Sequence, residues 1–160
     1  MRAGRLAQHM KTNAERISEE VVTKIRASHR CDELANKLTP NEQTRSTADI
    51  YRDLTVWLTT ESDSTIERRY VVLGLLRAQQ GIPFSNLFWA VCIAHEHLWQ
   101  YIQQECLLEE PVEFWGGVIL LRSMAQFFDR VLYFVLQGYE QAATCEPRVD
   151  AARFLRGQAS

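Results

Sequence analysis

The stretch from Trp115 to Leu136 constrains the fold more than any other part of the chain. It is apolar for long enough to cross a bilayer, yet it carries Arg122, Gln126, Asp129 and Arg130. A charge at the middle of a membrane helix costs about 3 kcal/mol on insertion scales. With Tyr133 and Gln137, these residues recur at helical spacing and form one polar stripe. A core helix with a single wet face accounts for that pattern, and a membrane span does not. Read from Pro111 to about Ala143, this is the longest and central helix, and its Gly116-Gly117 pair allows a bend or a close neighbour.

Residues that break helices are scarce elsewhere too. Seven Gly and four Pro in 160 residues fall well below the roughly 12% of an average protein. No stretch alternates polar and apolar residues as a half-buried strand does. Hydrophobic residues make up 46% of the chain, which is enough for a real core. The expectation is an all-α fold, a five- to six-helix globin-like bundle joined by short connections.

The first helix is predicted from about Arg5 to Ala27, with Leu6, Met10, Ile17, Val21 and Ile25 on one face. The polar stretch Ser28 to Leu38 continues helical in part. Thr39-Pro40-Asn41-Glu42 opens the next helix, with a Thr cap, Pro at the first position and Glu three residues after the cap. Ile50, Leu54, Trp57 and Leu58 form its buried face. After a break at Ser62 to Thr65, a third helix from Thr65 to Gln80 buries Ile66, Tyr70, Leu73 and either Leu76 or the stem of Arg77. Gly81 ends it as a left-handed residue, followed by Ile82-Pro83. The fourth helix runs from about Pro83 to Cys106, with Phe84, Leu87, Phe88, Val91, His95, Leu98, Trp99 and Ile102 on one stripe. Residues 1–143 read as one helical domain, and 144–160 as a C-terminal tail or the start of a linker to an output domain.

Charge removes several functions. Eighteen Lys and Arg against twenty Asp and Glu give a net charge of −2, without the basic footprint of a nucleic-acid binder. The first thirty residues hold seven basic and three acidic side chains, a pattern that a solvated helix face explains. Cys31, Cys92, Cys106 and Cys145 have no CxxC spacing and read as reduced thiols of a cytoplasmic protein. Met1 to Met10 has no apolar core, so no secretory signal or membrane partner is expected.

The sharpest cluster of reactive side chains is Ala94-His95-Glu96-His97. Helical residues two apart point to different sides, so the two imidazoles do not share one ion. A metalloprotease motif needs its second His where Trp99 stands, and no Glu is followed three residues later by a His. No metal site is expected. A haem needs one axial His, and His95, between Val91 and Leu98, could serve; a buried, hydrogen-bonded core histidine is the plainer reading. His97 falls on a second flank near Ala90, Ala94 and Tyr101, where partial exposure is allowed. There is no Gly-x-Ser-x-Gly elbow and no Walker loop. Cys92 and Cys106 sit at apolar positions where thiols are inert, and Glu109-Glu110 suits a solvated turn. No catalytic residue is expected, and the chain does not read as an enzyme. Tyr70, His95, Trp99 and Tyr133 put polar tips on mostly apolar stripes and are the candidates for lining a ligand pocket. The long helix, apolar over most of its circumference, predicts a second subunit packed against it.

Two runs are more specific than a generic bundle. Arg68-Arg69-Tyr70-Val71-Val72-Leu73-Gly74-Leu75-Leu76-Arg77-Ala78-Gln79-Gln80-Gly81-Ile82-Pro83 resembles a helix end of bacterial sensor modules. Phe127-Phe128-Asp129-Arg130-Val131-Leu132-Tyr133-Phe134-Val135-Leu136-Gln137-Gly138-Tyr139-Glu140 resembles their closing helix. The family is the N-terminal domain of RsbT co-antagonist proteins, also found ahead of histidine-kinase and similar output domains. Arg68, Arg77, Gly81, Asp129, Gly138 and Tyr139 carry the resemblance. It implies a non-haem, globin-like domain without a cofactor, which dimerises and senses a signal or contacts partners without doing chemistry. The function expected is therefore a non-catalytic, homodimeric sensor or interaction domain of a bacterial stress-response or two-component protein. The alternative is a haem- or small-ligand-binding globin-like protein that uses His95.

Overall fold

The computed structural model describes residues 2–105 and 114–145. Its helices are α1 (Arg2–Ala27), α2 (Asp32–Lys37), α3 (Pro40–Thr60), α4 (Glu67–Gln79), α5 (Phe84–Gln104) and α6 (Phe114–Cys145). Two short 3-10 turns, His29–Cys31 and Asp63–Thr65, precede α2 and α4. No strand occurs among the described residues. The result is the all-α bundle that the spacing predicts, consistent with a globin-like arrangement. No helix among the described residues is long and apolar enough to cross a membrane. The expectations for Pro111, Cys106 and Glu109-Glu110 lie outside the described residues, as does the tail beyond Cys145.

Local chemistry sets where the helices begin and end. The Thr39 hydroxyl accepts from the Glu42 backbone N–H, and the Glu42 carboxylate accepts from the Thr39 N–H, so both halves of the capping box form. At the other end of α3, Glu61 adopts a left-handed conformation with φ 46°, and its carboxylate accepts from the Ser123 hydroxyl. The end of α4 is a Schellman motif. Ile82 N–H donates to the Arg77 carbonyl and Gly81 N–H to the Ala78 carbonyl, while Gly81 takes φ 73°. Helix α2 is capped from far away, because the Asn86 side-chain oxygen accepts from the N–H groups of Glu33 and Leu34.

Helix α1 packs along α3, α4 packs along α6, and α5 touches α1 and α6 between these pairs. Phe84 meets Tyr139 and His95 meets Phe128, so α5 and α6 run antiparallel. The centre is aromatic: Phe127 contacts the rings of Trp57, Tyr70 and Phe128. Two polar groups of the aromatic core are bonded to backbone carbonyls. Tyr51 O–H donates to the Ala94 carbonyl and Trp57 Nε1–H to the Ser123 carbonyl.

Some expected positions move. Leu76 is 48% exposed, so it is Arg77 that lies half-buried on that turn of α4. Phe88 and Trp99 leave the buried stripe of α5 and are 42% and 36% exposed. The physical reason is width. Leu87, Ala90, Val91, Ala94, Leu98 and Tyr101 already fill the core-facing arc of α5, and Phe88 and Trp99 fall on its outer flank. The polar stripe of α6 is present as predicted, with Arg122, Asp129 and Tyr133 exposed and Gln126, Arg130 and Gln137 half-buried.

Candidate functional site

Helices α5 and α6 together present one continuous face to the outside. On α5 it is made by Phe88, Cys92, His95 and Trp99, which recur at intervals of four, three and four residues. On α6 it is made by Val118, Leu121, Ala125, Leu132 and Leu136, at matching helical intervals, with Asp129 among them. Phe88, Trp99, Val118 and Leu136 are each more than a third exposed. A monomer rarely leaves so many large apolar side chains in register on two adjacent helices.

The histidines sit differently from the expectation of a hydrogen-bonded core residue at position 95. His95 is half-buried and makes no hydrogen bond among the described residues. Its ring stacks on Phe128 with centroids 4.5 Å apart and planes 16° apart. His97 is the more enclosed of the two, with its side chain 11% exposed. Its Nε2 lies 2.9 Å from the Glu20 carboxylate on α1, and its Nδ1 is enclosed without a partner among the described residues. No group of His, Cys, Asp or Glu able to hold a metal occurs among the described residues.

Burial holds the His95 imidazole below its usual range, and nearby Asp129 opposes that in part. The folded protein therefore takes up this proton less readily than the unfolded chain, whose histidines titrate near 6.5. The stability due to neutral His95 is complete above that value and is lost as pH falls through it. The melting temperature is expected to fall between about pH 7.5 and 5.5, and to fall less in His95→Gln. Parallel pH profiles for the two proteins would contradict this.

The four pocket candidates do not come together. Tyr70 lies buried between α4 and α6, and its O–H donates to Asp53 at 2.7 Å. His95 and Trp99 line the outer face of α5, while Tyr133 stands 56% exposed on α6. Asp53 also takes an ion pair from Arg69, which ties α3 to the start of α4.

Four of the motif residues, Arg77, Gly81, Gly138 and Tyr139, lie by contrast at one helix crossing. Gly138 on α6 lies against the backbone of α4: a Cβ there would sit 2.6 Å from the Leu75 nitrogen and 2.9 Å from the Gly74 carbonyl carbon. Gly74, which lies within the Arg68–Pro83 run, answers it, since a Cβ there would collide with the Val135 backbone. Tyr139 O–H donates to the Ile82 carbonyl at 2.7 Å and so fastens the Gly81 turn to α6. Arg77, half-buried beside Tyr139, donates to Gln80. Arg68 and Asp129 are exposed. The missed Gly74 had a signal, a glycine inside an otherwise strong helix, but only the partner backbone shows what it is for.

A family model described as the RsbT co-antagonist protein rsbRD N-terminal domain matches residues 15–153. No curated protein and no solved structure matches the chain.

Proposed function

The chain belongs to the family of RsbT co-antagonist rsbRD N-terminal domains, and on that premise we propose that it is a non-catalytic sensor and interaction module that works as a homodimer in the cytoplasm. Membership places it in stress-response signalling. The observation that carries the dimer is the α5/α6 face, where Phe88, Trp99, Val118 and Leu136 meet water in register. A second copy related by a two-fold axis covers that face with the same residues, which is how most soluble homodimers close. Leu121, Ala125 and Leu132 add apolar surface to that face, Asp129 interrupts it beside His95, and Arg122 and Glu140 lie at its polar rim. Helix α6 forms the interface and also packs on α4, α5, α3 and α1. A small shift at the interface moves α6 against α4, and α6 carries that shift to a partner of the RsbT kind or a fused output domain.

Sedimentation equilibrium of the wild-type chain, Leu136→Glu and Trp99→Glu tests this. The wild type is expected to sediment as a dimer. Each variant places two unpaired carboxylates in the interface and should weaken association by about 3 kcal/mol, roughly 100-fold. Val56→Glu, at a 48% exposed position on α3, should leave the dimer intact. A Leu136→Glu chain that still dimerises like the wild type would remove the proposed face.

A further inference from the structure

Helices α3 and α4 follow each other in sequence but stand apart, because α3 packs on α1 and α4 on α6. Two cavities adjoin there, a wide outer one between α3 and α4, the mouth, and a narrow inner one, the chamber, enclosed mainly by α2, α3 and α5. The mouth, about 300 Å³, lies among Glu42, Arg45, Asp49 and Leu73. The chamber, about 40 Å³, lies among Leu34, Ile50, Leu87, Ala90 and Val91. Arg77, Ser46 and Leu38 line both, so Arg77 stands at the neck.

Among the arginines of α3 and α4, Arg45 and Arg68 are exposed, whereas Arg77 is half-buried without an ion pair among the described residues. Arg52 pairs with Asp49 and Arg69 with Asp53. The half-buried Arg77 guanidinium donates to the neutral Gln80 amide at 3.0 Å, and no carboxylate of the described residues lies within ion-pair distance. The two acids of the mouth are already engaged, Glu42 by the Thr39 N–H and Asp49 by Arg52. Burial pushes the Arg77 guanidinium down from its ordinary value, with Tyr139 and Glu42 opposing. A desolvated cation without an anion is unfavourable, and a planar guanidinium is built to take a carboxylate through two parallel hydrogen bonds.

We propose that this cleft binds a small monocarboxylate with a short apolar body, its carboxylate on the Arg77 guanidinium and its hydrocarbon in the chamber lined by Leu34, Ile50, Leu87 and Val91. One water needs about 10–15 Å³ measured in this way, so the chamber takes a few carbons and excludes a long acyl chain. Arg77 also supplies the carbonyl that receives the Ile82 N–H, and Tyr139 of α6 bonds the Ile82 carbonyl. A ligand held by Arg77 therefore reaches the α4/α6 crossing within one turn. This deepens the sensor reading by naming its ligand class. It rests on that reading for the consequence of binding, while binding itself is independent of the dimer.

Isothermal titration of the full chain with hexanoate and with hexanamide tests it. Hexanoate is expected to bind saturably at one site per chain. The uncharged amide should bind at least about tenfold more weakly, since it lacks the charge-assisted bonds. Arg77→Gln should lose at least about tenfold in hexanoate affinity, with Arg77→Lys recovering part of it. Filling the chamber with Ala90→Leu should abolish binding. If the Arg77 or Ala90 variants fail to fold, the comparison of acid with amide on the wild-type chain still decides. No saturable hexanoate binding, or equal binding of acid and amide, would overturn the proposal. A dimer without hexanoate binding would leave the dimer standing and remove the ligand, and binding by a monomer would do the reverse.

Discussion

Gly138→Ala is expected to destabilise the protein by about 3 kcal/mol and to lower its melting temperature by roughly 6–12 °C, for a domain of this size. The atoms that a new methyl group meets are the Val71 carbonyl, the Leu75 nitrogen and the Gly74 carbonyl carbon. All belong to the α4 backbone, which has no rotamer through which to yield. The two helices must separate, and the Tyr139 bond to the Ile82 carbonyl and the contact of Phe127 with Tyr70 are stretched with them. Alanine's better helix propensity returns about 1 kcal/mol, and the loss stated is net of it. Gly74→Ala should behave alike, and the double variant should cost less than the sum, because both methyls open the same gap. Gly4→Ala is the control: its Cβ meets nothing within 4 Å, so its melting temperature should equal or slightly exceed that of the wild type. Thermal melts followed by far-ultraviolet circular dichroism read all four. A Gly138→Ala protein as stable as the wild type would mean that α4 and α6 do not cross this closely.

Phe127→Ala should have an effect as large by the opposite route, a loss of about 3–5 kcal/mol from an unfilled cavity. The Phe127 ring is fully buried, with centroids 6.1 Å from Trp57 on α3, 6.4 Å from Tyr70 on α4 and 5.3 Å from Phe128 on α6. Because α3 and α4 flank an open cleft, this ring is the apolar joint between them, and its removal loosens three helices together. Urea unfolding should show a lower midpoint. A loss below about 1 kcal/mol would contradict the joint, since the transfer term alone exceeds that for a buried aromatic ring.

Much of the fold was legible in the sequence because local chemistry decides it. The Thr39–Glu42 capping box, the Gly81 stop and the polar stripe of α6 each depend on residues within one or two turns, and each is where the spacing puts it. What periodicity does not contain is the partner of each face. Leu76, Phe88 and Trp99 occupy positions that a helical wheel assigns to a core, and their exposure follows from how far apart α3 and α4 stand and how wide α5 is. The His95 stack on Phe128 and the His97 contact with Glu20 join residues 33 and 77 apart in sequence, beyond any local pattern. The motif residues were recognisable by resemblance, but the reason for them was not. Gly138, Gly81 and Tyr139 form one device that holds α4 to α6, and its other half, Gly74, becomes visible only when two backbones are seen in contact.

The proposed dimer across α5 and α6 is tested most directly by native mass spectrometry of the wild-type chain at micromolar concentration. The predicted result is a species of twice the 18.5 kDa chain mass. A single-chain species at that concentration, under conditions that preserve a known dimer run alongside, would contradict it.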